Sequence, residues 1–137
     1  MADITIGAAA VAAGTGAVRG SGTAGATITQ GQVVYYDDST GTYKLAHTET
    51  SAATANVKGI SLNSCSSTQP LDFVTNGPIT LSAAGPLTVG TIYVLSVSGG
   101  IAPSTDLASN DWVTVLGVAT TANILKVDIN VSGVQVP

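Results

Sequence analysis

The chain has 137 residues, a formal net charge of −4, and only 9% charged and 4% aromatic side chains. Its four cations, Arg19, Lys44, Lys58 and Lys126, stand apart from one another, so the clustered basic surface that displaces counterions from nucleic acid is missing and no direct nucleic-acid partner is expected. A single cysteine, Cys65, excludes an intrachain disulfide and a cysteine-based metal site, and no run approaches the ~20 apolar residues of a membrane-spanning helix.

One domain is the length-based expectation, and a chain of this size buries about two-thirds of its unfolded surface. Large side chains are scarce, so the core must be built from Val, Ile, Leu and Ala. That favours thin, closely approaching sheets, and association with other copies would supply apolar burial that a small core lacks. Residues 1–3 carry no basic start of a secretory signal, and the apolar stretch that follows is interrupted by glycines, which predicts a protein made in a cytoplasm.

The first segment, residues 1–25, reads as an extended N-terminal arm ahead of a β domain spanning 26–137. "DITI" has strand character, whereas residues 7–16 are Gly- and Ala-rich, too tightly bracketed by Gly7, Gly14 and Gly16 for a helix. The arm is therefore expected to order only on a partner, and substitutions at Gly14 or Gly16 are expected to be silent. Residues 27–46, "TITQGQVVYYDDSTGTYKLA", predict a β-hairpin that turns through Asp37, Asp38, Ser39, Thr40 and Gly41. Strands are expected at 57–62, 71–74 and 79–82, separated by polar loops and Gly/Pro turns. Two more are expected at 112–119 and 124–131, after a capped turn near Ser104. Turn signals every eight to twelve residues and the absence of an amphipathic helical pattern make the class all-β, a small sandwich or barrel.

The hairpin comes twice. Residues 88–103, "TVGTIYVLSVSGGIAP", repeat its plan, matching Gly31 to Gly90, Val34–Tyr35–Tyr36 to Tyr93–Val94–Leu95, and Gly41 to Gly100. "ANVKGISL" is answered by "VTVLGVAT", which aligns Gly59 with Gly117. Two matches in the same order point to a duplicated β unit, with these six glycines as its structural turn or close-approach positions.

No catalytic constellation emerges, and neither an enzyme nor a cofactor is expected. "GSGTAG" fits the dinucleotide pattern G-x-G-x-x-G, but a strand rather than a helix follows it, so it reads as a linker. Asp37 and Asp38 are expected to bond their own turn. His47 and Cys65 have neither an orienting third group nor an oxyanion hole. Trp112 reads as a core or interface anchor.

The runs "GTAGATITQGQVVYYDDSTGTYKLA", "NVKGISLN", "GPITLSAAGPLTVGTIYVLSVSGGIAP" and "WVTVLGVATTANILKVDI" together resemble the head decoration, or capsid cement, proteins of tailed bacteriophages. The resemblance spans about residues 22–131. It implies a β-rich homotrimer on the outer surface of a virion, clamping neighbouring subunits of the major capsid protein and stabilising the shell. It carries no catalytic residues. The arm is expected to attach to the capsid through Asp3, Ile4, Thr5 and Ile6, adding backbone to an exposed sheet edge. The alternative is a tail or surface adhesin module for a host glycan or receptor, which needs several exposed aromatics in one groove.

Overall fold

A computed structural model describes residues 3–137. The protein is all-β. Ten strands form one curled antiparallel sheet: β1 Ala12–Ala13, β2 Val18–Thr23, β3 Val33–Asp37, β4 Thr42–Leu45, β5 Val57–Ser61, β6 Pro70–Thr80, β7 Ile92–Leu95, β8 Ile101–Pro103, β9 Trp112–Ala119 and β10 Ile124–Gln135. Single 3-10 turns cover Ala8–Ala10 and Ser104–Asp106.

The main strand order, β4-β3-β5-β6-β10-β9-β7-β8, is two four-stranded halves meeting at the β6–β10 seam. Duplication is visible pair by pair. Val34, Tyr35 and Tyr36 oppose Leu45, Lys44 and Tyr43, just as Tyr93, Val94 and Leu95 oppose Pro103, Ala102 and Ile101. Val34 faces Gly59 and Tyr93 faces Gly117, and a bulge follows each pair, before Tyr35 and before Val94. Bulges re-aim a strand at a defined place, and their recurrence at matched residues means that the same structural unit is used twice.

The repeat also begins earlier than the hairpin. Gly31 donates its N–H to the Ser61 carbonyl at 2.9 Å and Gly90 donates to Ala119 at 2.9 Å. Ile28 donates to Cys65 and Leu87 to Ala122 in the same way. Further back, β2 pairs with the front of β6 (Gly20↔Phe73, Ser21↔Asp72), and the rear of β6 pairs with β10 (Ile79↔Leu125, Thr80↔Ile124). The 11-residue β6 therefore ends the first unit and starts the second.

Two expectations are corrected. The residue matching Gly41 is Gly99, not Gly100: Gly41 has φ +68° and Gly99 φ +75°, whereas Gly100 is not in the left-handed region. Six residues separate Tyr36 from Tyr43 and five separate Leu95 from Ile101, so the second hairpin loop is one residue shorter. The arm is not held in reserve for a partner. Among its described residues, Ala12 and Ala13 pair with Thr80 and Ile79, and β2 runs along β6 from Asn76 to Pro70. Unpaired β6 N–H and C=O groups would otherwise remain at an edge, and the arm satisfies them without large side chains. Within residues 3–25, β1 and β2 thus belong to the same sheet as the strands of 26–137.

The first unit closes on itself. Ala24 forms a parallel bridge to Tyr43, and the Gly25 N–H donates to the Tyr43 carbonyl at 2.7 Å, linking β2 back to β4. Inside that ring lie Ala24, Ile28, Val34, Cys65, Leu71 and Phe73. A larger cluster, with Val33, Ile60 and Val74 on one side and Tyr93, Leu116, Leu125 and Val127 on the other, joins the two units. Among the described residues, no buried side-chain nitrogen or oxygen lacks a hydrogen-bond partner. The Thr114 hydroxyl, for example, donates to the Ala55 carbonyl at 2.6 Å.

Candidate functional site

The structure sets two of the four arm residues against two of the six singled-out glycines. Asp3 accepts a 2.5 Å hydrogen bond from the hydroxyl of fully buried Ser96, and a Cβ on Gly100 would touch its carboxylate. Ile6 lies over Gly31, where a Cβ would overlap its Cγ2. The Ile4 N–H donates to the Ile101 carbonyl at 2.8 Å, and Ile4 and Ile6 both pack on the larger core cluster, leaving Thr5 exposed. Asp3, Ile4 and Ile6 line a hollow of about 440 Å³ together with Thr29, Gln30, Gln32 and the second hairpin loop. Ser96, which anchors the arm, carries no signal in the sequence: its role depends on a residue 93 positions away.

The remaining glycines lie elsewhere. Gly41 and Gly90 sit in open surroundings at turns. Gly59 and Gly117 are buried where strands cross: a Cβ on Gly59 would come within 2.6 Å of the Val74 carbonyl oxygen, and one on Gly117 would overlap the Lys126 carbonyl. The glycines of "GSGTAG" serve the same end, correcting the linker reading. Gly20 lies under the Phe73 ring, Gly22 under Tyr43 and Gly25 under Thr42, each too close to admit a Cβ. Their backbone is strand or strand extension, and no helix follows to receive a phosphate.

Asp37 bonds its own turn, accepting from the Ser39 N–H at 3.0 Å and the Ser39 hydroxyl at 2.6 Å. It also accepts from Lys44 Nζ at 2.7 Å. The Lys44 ammonium and the Ser39 hydroxyl hold its carboxyl down to about 2, and the same contact raises Lys44. Cys65 is buried, and desolvation pushes its thiol up. His47 accepts a hydrogen bond from the Glu49 N–H at its Nδ1. Tyr36, Tyr43 and Phe73 form a ladder of rings with centroids 5.1 and 4.9 Å apart, running from the surface into the first core. Trp112 is half-buried against the larger cluster. Among the described residues, no three or more His, Cys, Asp or Glu side chains gather closely enough to hold a metal ion.

The outer face of the second unit is different in kind. Ile92 and Val118 oppose one another on β7 and β9 and are 44% and 39% exposed, and Val89, on the loop leading into β7, is 63% exposed. Ile92 and Val118 line a shallow depression of about 340 Å³ with Val115, Lys126 and Asp128. The depression therefore joins an exposed apolar pair to one cation and one anion. Comparison with known proteins returned no matching family model, no matching curated protein and no matching solved structure.

Proposed function

We propose that this protein is a structural virion component: a decoration protein that binds the outer surface of a bacteriophage capsid, as a homotrimer, and stabilises the shell by clamping neighbouring coat subunits. The observation that carries this reading is the exposed Ile92–Val118 pair, with exposed Val89 on the loop leading into β7, in a chain short of large side chains. The resemblance of residues 22–131 to capsid cement proteins supplies the partner.

The mechanism is linkage. A protein that binds only the assembled shell shifts the equilibrium towards it by mass action and needs no catalysis. A trimer engages several sites at once, so the second and third contacts are effectively intramolecular and individually weak contacts suffice. A net charge of −4 with isolated cations limits adhesion to packaged or free nucleic acid. Electron microscopy of purified heads with and without the protein tests the reading. Regularly spaced knobs on the shell, lost in its absence, are the expected result. Density confined to the tail, or none on the particle, would overturn it.

A further inference from the structure

The outer face of the second unit extends well past its exposed apolar pair. Strand register sets Ile92, Val118, Lys126 and Pro78 in one line across β7, β9, β10 and β6. A second line, two residues along, runs through Asp128, Asn76 and Val18 on β10, β6 and β2. Residues opposite one another in an antiparallel ladder share a face, as do residues two apart on one strand. Both lines therefore lie on one surface, where Val18 is 55% exposed. Lys126 and Asp128 sit on its central strand, about 7 Å apart. Both side chains are exposed, and neither makes an ion pair among the described residues. They are the two charges lining the depression beside Ile92 and Val118.

We infer that this face is a self-association surface, covered in the free protein by the same face of a second copy across a two-fold axis. The order of the charges selects that occupant. An axis running across the strands between Lys126 and Asp128 brings each lysine onto the aspartate of the other copy, making two ion pairs at once. It also carries Val118 towards Val115 of the second copy, because Val115 lines the depression on the far side of Gly117. An isologous contact needs a patch complementary to itself, and a cation and an anion on either side of the axis meet that need with no residue from another protein. The charge pair is also locally neutral, so the contact avoids the mutual repulsion of two chains that each carry −4. Sheets packed face to face in this way run nearly aligned and about 10 Å apart, within reach of a Lys and an Asp side chain.

The self-contact goes beyond the shell-binding reading and does not depend on it; on that reading, the shell displaces the second copy from the same face. Analytical ultracentrifugation of the full chain tests the axis. Wild type is expected to contain an even number of copies, a simple dimer or a pair of trimers. Lys126→Asp and Asp128→Lys each set like charges across the axis. Each is expected to weaken pairing at least about tenfold, since two ion pairs are lost, and to halve the mass at concentrations between the two dissociation constants. An equimolar mixture of the two variants restores both opposite-charge pairs, and so does the double variant Lys126→Asp/Asp128→Lys. Both are expected to recover the wild-type mass. A wild-type mass of one or three copies, single variants that pair as wild type does, or a mixture that stays at half mass would each overturn the proposal. Heads that take up no protein would overturn the shell-binding reading and leave this contact standing.

Discussion

Gly41 and Gly99 occupy the same position of the repeated hairpin, with φ of +68° and +75°, yet only Gly99 is buried. Gly99 donates its N–H to Ala46 at 2.7 Å and accepts from the Val33 N–H at 2.9 Å, docking the second hairpin onto the first unit. A Cβ there would sit 3.0 Å from Leu45 and 3.1 Å from the Val33 carbonyl, whereas at Gly41 the nearest atom is the Tyr36 hydroxyl at 3.7 Å. Gly41→Ala is expected to cost about 1 kcal/mol, the backbone penalty alone, and Gly99→Ala about 2–3 kcal/mol once crowding is added. Chemical denaturation of the two variants side by side checks the order. Equal losses would mean that the docking of the second hairpin contributes nothing.

Gly117 is expected to be the least replaceable glycine of the sheet. Its Cβ would overlap the Lys126 carbonyl and lie 3.1 Å from the Val127 Cα, and backbone in a central strand pair has nowhere to move. Gly117→Ala should destabilise by about 3 kcal/mol or prevent folding, beyond the usual range for one added methyl. Gly90→Ala, with open space around it, serves as the control and should lose only about 1 kcal/mol from its positive φ.

The Asp37–Lys44 pair predicts a pH-dependent term. A carboxyl held down to about 2 stabilises the fold when ionised, so its contribution is present above the ordinary carboxylate range and lost as pH falls through about 2. Lys44, raised by the same contact, contributes below its ordinary value and loses that contribution as pH rises beyond it. Both side chains keep solvent contact, 32% for Lys44 and 19% for Asp37, so screening keeps the effect small. The melting temperature of Asp37→Asn should lie below that of the wild type at neutral pH, and the two should converge between about pH 4 and pH 2. A constant difference across that window would show that the ion pair is not its source.

Cys65 should behave as a core residue rather than a reactive thiol. It is 7% exposed within the first ring, and burial raises its pKa. Native protein is expected to leave a thiol-specific chromogenic reagent unreacted, with one equivalent per chain released in denaturant. Rapid reaction of the folded protein would mean that the first ring opens readily.

Deleting residues 2–20 is expected to weaken the fold rather than leave it intact. The deletion removes β1, half of β2 and buried Val11, and it exposes a long edge of β6. The loss should exceed about 3 kcal/mol, since truncating a buried aliphatic and several ladder hydrogen bonds each contribute. An unchanged melting temperature would show that the segment is dispensable and return it to the role of a free arm.

Local pattern was enough to read the all-β class, the first hairpin turn and the duplication, because turn chemistry and two-residue alternation are written over a few neighbouring positions. Asp37 and Gly41 did what their types favour in a loop. The placement of residues 3–25 was not legible in the same way. Small, polar and glycine-rich residues look alike whether they form a free arm or a strand pressed against aromatic rings. Gly20 and Gly22 acquire meaning only once Phe73 and Tyr43 lie over them. The shift from Gly100 to Gly99 likewise turned on a one-residue shortening that two adjacent glycines conceal in the sequence, and that the pairing of Leu95 with Ile101 resolves. Sequence carried the local conformational preferences, whereas contacts between distant segments, through backbone hydrogen bonds and excluded volume, decided which small residues became structural.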